Sequence, residues 1–109
     1  MIRGEIWTAS ARQGYAGKPR PVVIVQDDRF DATESITFCP FTTVATAIPL
    51  LRIPVSPNAA NGLSAPSSVM VDKITTAHKS KLDRRIGAVS PSQMREIERA
   101  LLVFLGLTG

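Results

Sequence analysis

Arg20, Thr42, Thr43, Asp72 and His78 are the side chains of this chain whose type and setting could do chemistry. Arg20 lies where a basic loop meets the apolar run Val22-Val23-Ile24-Val25. Its backbone is therefore anchored while its guanidinium can face a groove, and that fork matches phosphate oxygens. From position alone a solvated surface arginine or the partner of an aspartate is the commoner reading. Thr42 and Thr43 close the run Ile36-Thr37-Phe38-Cys39-Pro40-Phe41. A hydroxyl there can donate to a phosphoryl oxygen as charge develops, although threonines at strand ends also cap turns. Asp72, beside Lys73, can act as a base or orient an arginine; otherwise it is a surface ion pair worth little. His78 has the intrinsic pKa of an acid–base catalyst, but its setting, Ala77-His78-Lys79-Ser80-Lys81, reads as exposed. Lys79, Lys81, Arg84 and Arg85 form a basic cluster that suits a nucleic-acid backbone or is simply a solvated face.

Other chemistries are harder to build. One His and one Cys cannot make the usual zinc arrangements. Cys39 cannot form an internal disulfide, has no histidine near it in sequence to activate it, and reads as a small core residue. No glycine-rich phosphate loop follows a strand into a helix, and there is no G-x-S-x-G elbow. An enzyme built from this chain would rely on Arg, Thr and Asp, with no metal and no cofactor. Thirteen Lys and Arg against nine Asp and Glu give a net charge of +4, which suits a polyanion or an acidic protein partner. No apolar run approaches the ~20 residues needed to span a bilayer. Met1-Ile2-Arg3-Gly4-Glu5 enters a strand-like segment without a signal-peptide core. A cytoplasmic protein with no membrane partner is expected.

The elements that must position these groups follow from apolar patterning. Glu5–Ala9 reads as a first strand. Ser10–Pro19, polar and basic with Gly14 and Gly17, reads as a loop long enough to be functional. Val22–Val25 is a continuous β-branched run, hence a strand buried on both faces with Pro21 at its start. Ile36–Phe41, Leu50–Val55, Ser68–Asp72 and Arg85–Val89 supply four more strands. The period then changes. Ser90-Pro91-Ser92-Gln93 is a helix start with a capping box. Met94, Ile97, Leu101, Phe104 and Leu105 share a helical face, and Gly106 can end the helix. A length of 109 residues fits one domain, 1–109, mainly β with a C-terminal helix. Short strands in series favour a small, partly closed antiparallel barrel. A core this modest would gain from dimerisation.

Several blocks, in order along the chain, resemble the MazF/PemK toxin family. Arg3-Gly4-Glu5-Ile6-Trp7 is similar to its RGEIW opening, and Arg20-Pro21-Val22-Val23-Ile24-Val25-Gln26 to its RPVVVVQ strand. Phe38-Cys39-Pro40-Phe41-Thr42-Thr43 resembles VxPxTT, and Val69-Met70-Val71-Asp72-Lys73-Ile74-Thr75-Thr76 resembles VxxDQIRT. Leu82-Asp83-Arg84-Arg85-Ile86-Gly87 and the closing Leu105-Gly106-Leu107 complete the match. The resemblance implies an SH3-like barrel of the CcdB/PemK type, about six short strands plus the helix, working as a homodimer. It implies a sequence-specific endoribonuclease toxin that cuts single-stranded mRNA and is silenced by a MazE-like antitoxin. DNA operator contact would come only through the antitoxin complex.

The same resemblance places catalytic roles on Arg20, Thr42 and Asp72. RNA contacts are expected from Arg12, Tyr15 and Lys18 in the first loop and from Thr43, Lys73, His78 and Lys79. Tyr15 there can stack on a splayed base or simply anchor its loop. Four departures stand out. The first loop, Arg12-Gln13-Gly14-Tyr15-Ala16-Gly17, lacks the acid of the family's SEQ motif, Lys73 replaces the family's Gln, Thr75 replaces its Arg, and Met70 occupies the place of an arginine that some relatives carry two positions before the acid. The alternative is a non-catalytic module on the same fold, either a gyrase poison like the CcdB toxins or a binder of antitoxin and operator alone.

Overall fold

The computed structural model describes residues 1–10, 19–45 and 48–108. Among the described residues, seven strands and one helix follow one another: β1 Glu5–Ala9, β2 Arg20–Ile24, β3 Ser35–Thr42, β4 Arg52–Val55, β5 Ser67–Met70, β6 Thr75–His78, β7 Leu82–Ala88 and α1 Pro91–Phe104. Every pairing is antiparallel, in the order β4-β5-β3-β2-β1-β7, with β6 also pairing β3. Short 3₁₀ turns occupy Asp28–Phe30, Val71–Lys73 and Lys79–Lys81. The mainly β architecture with a closing helix is the expected one. The described residues form seven strands where about six were expected, the added one being Thr75–His78, which pairs the first half of β3.

β2 is buried on both faces, as its unbroken β-branched run requires. Val23 and Val25 enter the larger core with Ile6, Cys39, Phe41, Ile53, Val69, Val71, Ile97 and Ala100. Val22 and Ile24 join a smaller cluster with Ile36, Phe38 and Leu82, against which Trp7, Ala9 and Ala77 pack. Each fully buried aliphatic side chain stabilises this arrangement by roughly 1.5–3 kcal/mol.

Helix α1 closes the larger core through Ile97 and Ala100. Its start is doubly satisfied: Ser90 Oγ accepts from Gln93 N at 3.1 Å, while Gln93 Oε1 accepts from Ser90 N at 3.0 Å. Its end is a Schellman motif. Gly106 sits at φ +71°, its N–H donates to Val103 O at 3.1 Å, and Leu107 N donates to Leu102 O at 2.9 Å. The expected apolar face is only partly used. Phe104 and Leu105 remain exposed, and Ala100 takes the buried place beside Ile97.

The 56–66 connector is held by a buried asparagine. Asn61 Oδ1 accepts from Asn58 N and Leu63 N, and its Nδ2 donates to Ser56 O at 2.8 Å. Gly87 of β7 lies so close to it that a Cβ there would fall 2.4 Å from the Asn61 carbonyl oxygen.

Candidate functional site

Strand register brings two of the predicted residues together. Val22 pairs Pro40, Val23 pairs Cys39 and Ile24 pairs Phe38. Continued by two residues, that register sets Arg20 across from Thr42. Directly opposed side chains have Cβ atoms roughly 4.5–5.5 Å apart. Alternation puts Arg20 on the face of Val22 and Ile24, and Thr42 on the face of Phe38 and Pro40, which is the same face of the sheet. Arg20 is exposed and Thr42 half-buried. Thr42 Oγ1 accepts from Val44 N at 3.1 Å, which fixes the oxygen and leaves its hydroxyl proton to donate elsewhere. On either side the row continues through Ala9 of β1, paired to Arg20, and Ser68 of β5, paired to Thr42.

Asp72 lies in the Val71–Lys73 turn, which bulges between β5 and β6 where both flank β3. Its carboxylate is paired with Arg52 of β4. The two side chains are only 17% and 12% exposed, so this is a largely buried ion pair and not the surface pair with Lys73 that the sequence offered as the alternative. Arg52 Nε is buried and has no hydrogen-bond partner among the described residues. Arg52 stands across from Met70 in the β4–β5 register. A guanidinium therefore reaches Asp72 from the neighbouring strand although position 70 itself carries none. Sequence reasoning missed Arg52; its alternation with the inward-facing Ile53 and Val55 was the available signal.

The remaining predicted residues scatter. Thr43 is exposed just past β3, and Lys73 is exposed beside Asp72. His78 pairs Ser35 at the other end of β3 from Thr42. At ~3.3 Å per residue, the strand separates those ends by roughly 23 Å. His78 Nδ1 caps the following turn by accepting from Ser80 N at 3.1 Å, and Lys79 Nζ is held by Asp31. The structure thus does not bring His78 and Lys79 to Arg20 and Thr42. Arg12, Tyr15 and Lys18 lie outside the described residues. Cys39 is fully buried, and burial, reinforced by the charge of Asp72, pushes its thiol up to about 12. It stays protonated and belongs to the core.

Two clefts flank α1, one over Pro49, Leu50, Ile53 and Val103, the other over Arg3, Val25, Leu102 and Leu105. Neither contains Arg20 or Thr42. Arg20 and Thr42 stand at the margin of the smaller cluster formed by Val22, Ile24, Ile36 and Phe38, Arg20 exposed and Thr42 half-buried. Among the described residues, no three His, Cys, Asp or Glu side chains cluster as metal ligands do, and no helix is long and apolar enough to cross a membrane.

A family model described as the PemK-like, MazF-like toxin of type II toxin–antitoxin systems matches residues 2–105. A Mycolicibacterium smegmatis protein named a probable endoribonuclease MazF is 57% identical over 109 residues, covering 100% of both chains. The endoribonuclease MazF9 of Mycobacterium tuberculosis is 30% identical over 116 residues, covering 98% of each. Among solved structures, an endoribonuclease in complex with its cognate antitoxin, from a mycobacterial species, matches with a TM-score of 0.81 at 28% identity, over 100% of this chain and 98% of that one.

Proposed function

Because this chain belongs to the PemK-like, MazF-like toxins of type II toxin–antitoxin systems, we propose that it is an endoribonuclease that cuts single-stranded mRNA at short sequences and so inhibits translation. The observation that carries this reading is the cross-strand placement of Arg20 beside Thr42, a cation and a hydroxyl on one face of the sheet. Cleavage is a transesterification that needs no metal. The ribose 2′-OH attacks the adjacent phosphorus and the 5′ oxygen departs, giving a 2′,3′-cyclic phosphate and a 5′-OH. The 2′-OH also explains why RNA and not DNA is the substrate.

Arg20 stabilises the charge that develops on the phosphorane, a role for which a guanidinium suits better than proton donation. Thr42 donates to a phosphoryl oxygen. Asp72, kept in place by Arg52, accepts the 2′ proton or orients the cation. Thr43 and Lys73 contact the RNA backbone nearby, and the first-loop residues Arg12, Tyr15 and Lys18 contact flanking nucleotides.

Two features support the assembly this reading requires. Leu102, Val103, Phe104, Leu105 and Leu107 are 41–68% exposed along the end of α1, and burying such a strip favours a homodimer. The net charge of +4 favours an acidic antitoxin segment that orders on binding and covers Arg20. The setting is the cytoplasm.

The test is incubation of the purified protein with a long single-stranded RNA in EDTA, with mapping of the cut ends. Cuts bearing 5′-OH ends are expected. Arg20→Ala should lose on the order of 10²–10³ in rate while keeping its fold, since Arg20 is exposed. Intact RNA in EDTA, or a fully active Arg20→Ala protein, would overturn the reading.

A further inference from the structure

Behind the row that carries Arg20 and Thr42 runs a second row on the same face. Trp7 pairs Val22 and Arg85 pairs Trp7, while Val22 pairs Pro40. Ala9 pairs Arg20, so Trp7 is the diagonal neighbour of Arg20. Diagonal cross-strand neighbours stand roughly 7–8 Å apart, within reach of an aromatic side chain. Trp7 and Pro40 are both half-buried, whereas Val22 between them is nearly sealed. Together they form an apolar step one residue row back from the cation.

The indole is held in orientation. Its Nε1 donates to Glu5 Oε1 at 3.1 Å. The same carboxylate accepts from Ile2 N at 2.8 Å, and its other oxygen accepts from Arg85 Nε at 2.8 Å. Glu5 is only 16% exposed and Arg85 51%. A carboxylate locked on three donors costs conformational freedom that the sheet itself does not require. What it secures is a fixed plane for one aromatic ring, with cations on both flanks, Arg20 on one side and Arg85 on the other.

We infer that Trp7 is a stacking platform for an unpaired nucleobase adjacent to the scissile phosphate, oriented by Glu5 and Arg85. The inference rests on the nuclease reading above and assigns a base subsite to it. The occupant follows from the charges. Arg20 at the front row and Arg85 behind it suit consecutive phosphates, and the flat apolar step between them suits the base those phosphates carry. A ring stacked this way is tolerant of base identity, because every base presents a π-face.

Trp7 is the sole tryptophan of the chain, so it reports on itself. The probe is the 2′-O-methyl copy of an RNA fragment that the unmodified protein cuts, carrying a fluorescent label; it lacks the attacking hydroxyl and stays intact. Binding, followed by anisotropy, should quench Trp7 emission. The same fragment made abasic beside the cut site should bind more weakly and leave emission unchanged. Trp7→Phe should keep most of the affinity, and Trp7→Leu should lose about tenfold or more, the range expected for one stacked base. If Trp7→Leu fails to fold, the quench in the unmodified protein and the Trp7→Phe affinity still decide the matter. Tight binding of the intact probe without quenching, or Trp7→Leu binding as well as the parent, overturns the subsite while RNA cleavage stands. Failure of the unmodified protein to cut any RNA removes the nuclease reading first and this inference with it.

Discussion

Replacing Arg52 by methionine tests the ion pair behind the site. Asp72 would keep its position in the Val71–Lys73 turn with its side chain only 17% exposed, and would lose the one cation paired with it among the described residues. Removing one partner of a buried pair costs about 3–5 kcal/mol, because the remaining charge is left poorly solvated. For 109 residues, at ~2.1 cal/mol/K per residue, the entropy of unfolding is roughly 0.23 kcal/mol/K, so each kcal/mol moves Tm by about 4 °C. Arg52→Met should therefore lower Tm by roughly 13–22 °C. The double variant Arg52→Met/Asp72→Leu should recover most of that loss. An apolar pair of similar volume is often as stable as the ion pair it replaces, and the parent Arg52 leaves its buried Nε unsatisfied. Calorimetry on the parent, both single variants and the double completes the cycle. A fall of less than about 4 °C in Arg52→Met, or a double variant as unstable as the sum of its parts, would refute the reasoning.

Three further outcomes follow from the same structure. Burial pushes the Glu5 carboxyl up, but donation from Ile2, Trp7 and Arg85 outweighs it and holds the group below its ordinary value. Its folded pKa is thus depressed. The stability it contributes is present above the ordinary carboxylate range, near 4.5, and is lost as pH falls through the folded value. Urea midpoints measured from pH 7 to pH 3 should fall less steeply in Glu5→Gln than in the parent. Cys39, fully buried with its thiol near 12, should resist a thiol reagent such as DTNB in the native protein at pH 8 and react at once in denaturant; rapid native labelling would contradict its place in the core. Ser90→Ala removes the side-chain half of the capping box and should cost about 1 kcal/mol, read as a Tm lower by roughly 4 °C.

Much of the fold is legible in the sequence because its signals are local. The β-branched run of β2 implies burial on both faces, and Val22 and Val23 indeed enter separate clusters. Ser90, Pro91, Gln93 and Gly106 mark the two ends of α1 within a residue. β6 is not legible in that way: Thr75-Thr76-Ala77-His78 has no apolar alternation, and it is a strand only because β3 offers an unpaired edge.

The site divides along the same line. Arg20 and Thr42 stand out by residue type and by their places at strand ends; Asp72, expected to end the fifth strand, stands out by type but lies in the turn beyond β5, which stops at Met70. What faces each of them is set by register and by the 71–73 bulge, which are tertiary facts. Asp72 meets Arg52, twenty positions away in sequence. His78, close to Asp72 in sequence, is carried by β6 to the far end of β3. The role open to Trp7 shows only when β1 and β2 are laid side by side.

The setting of Arg20 also limits how this surface can vary. It is the first residue of a central strand flanked by Pro19 and Pro21, and Val22, Val23 and Ile24 beyond them are sealed into two clusters. A slip of one residue would present a proline where the guanidinium stands and turn every valine to the wrong side. The cation can therefore shift only in whole-residue steps, each of which dismantles the core, and never by gradual drift. Change around this position is then left to the connecting segments and to the side chains around a charge whose place the core fixes.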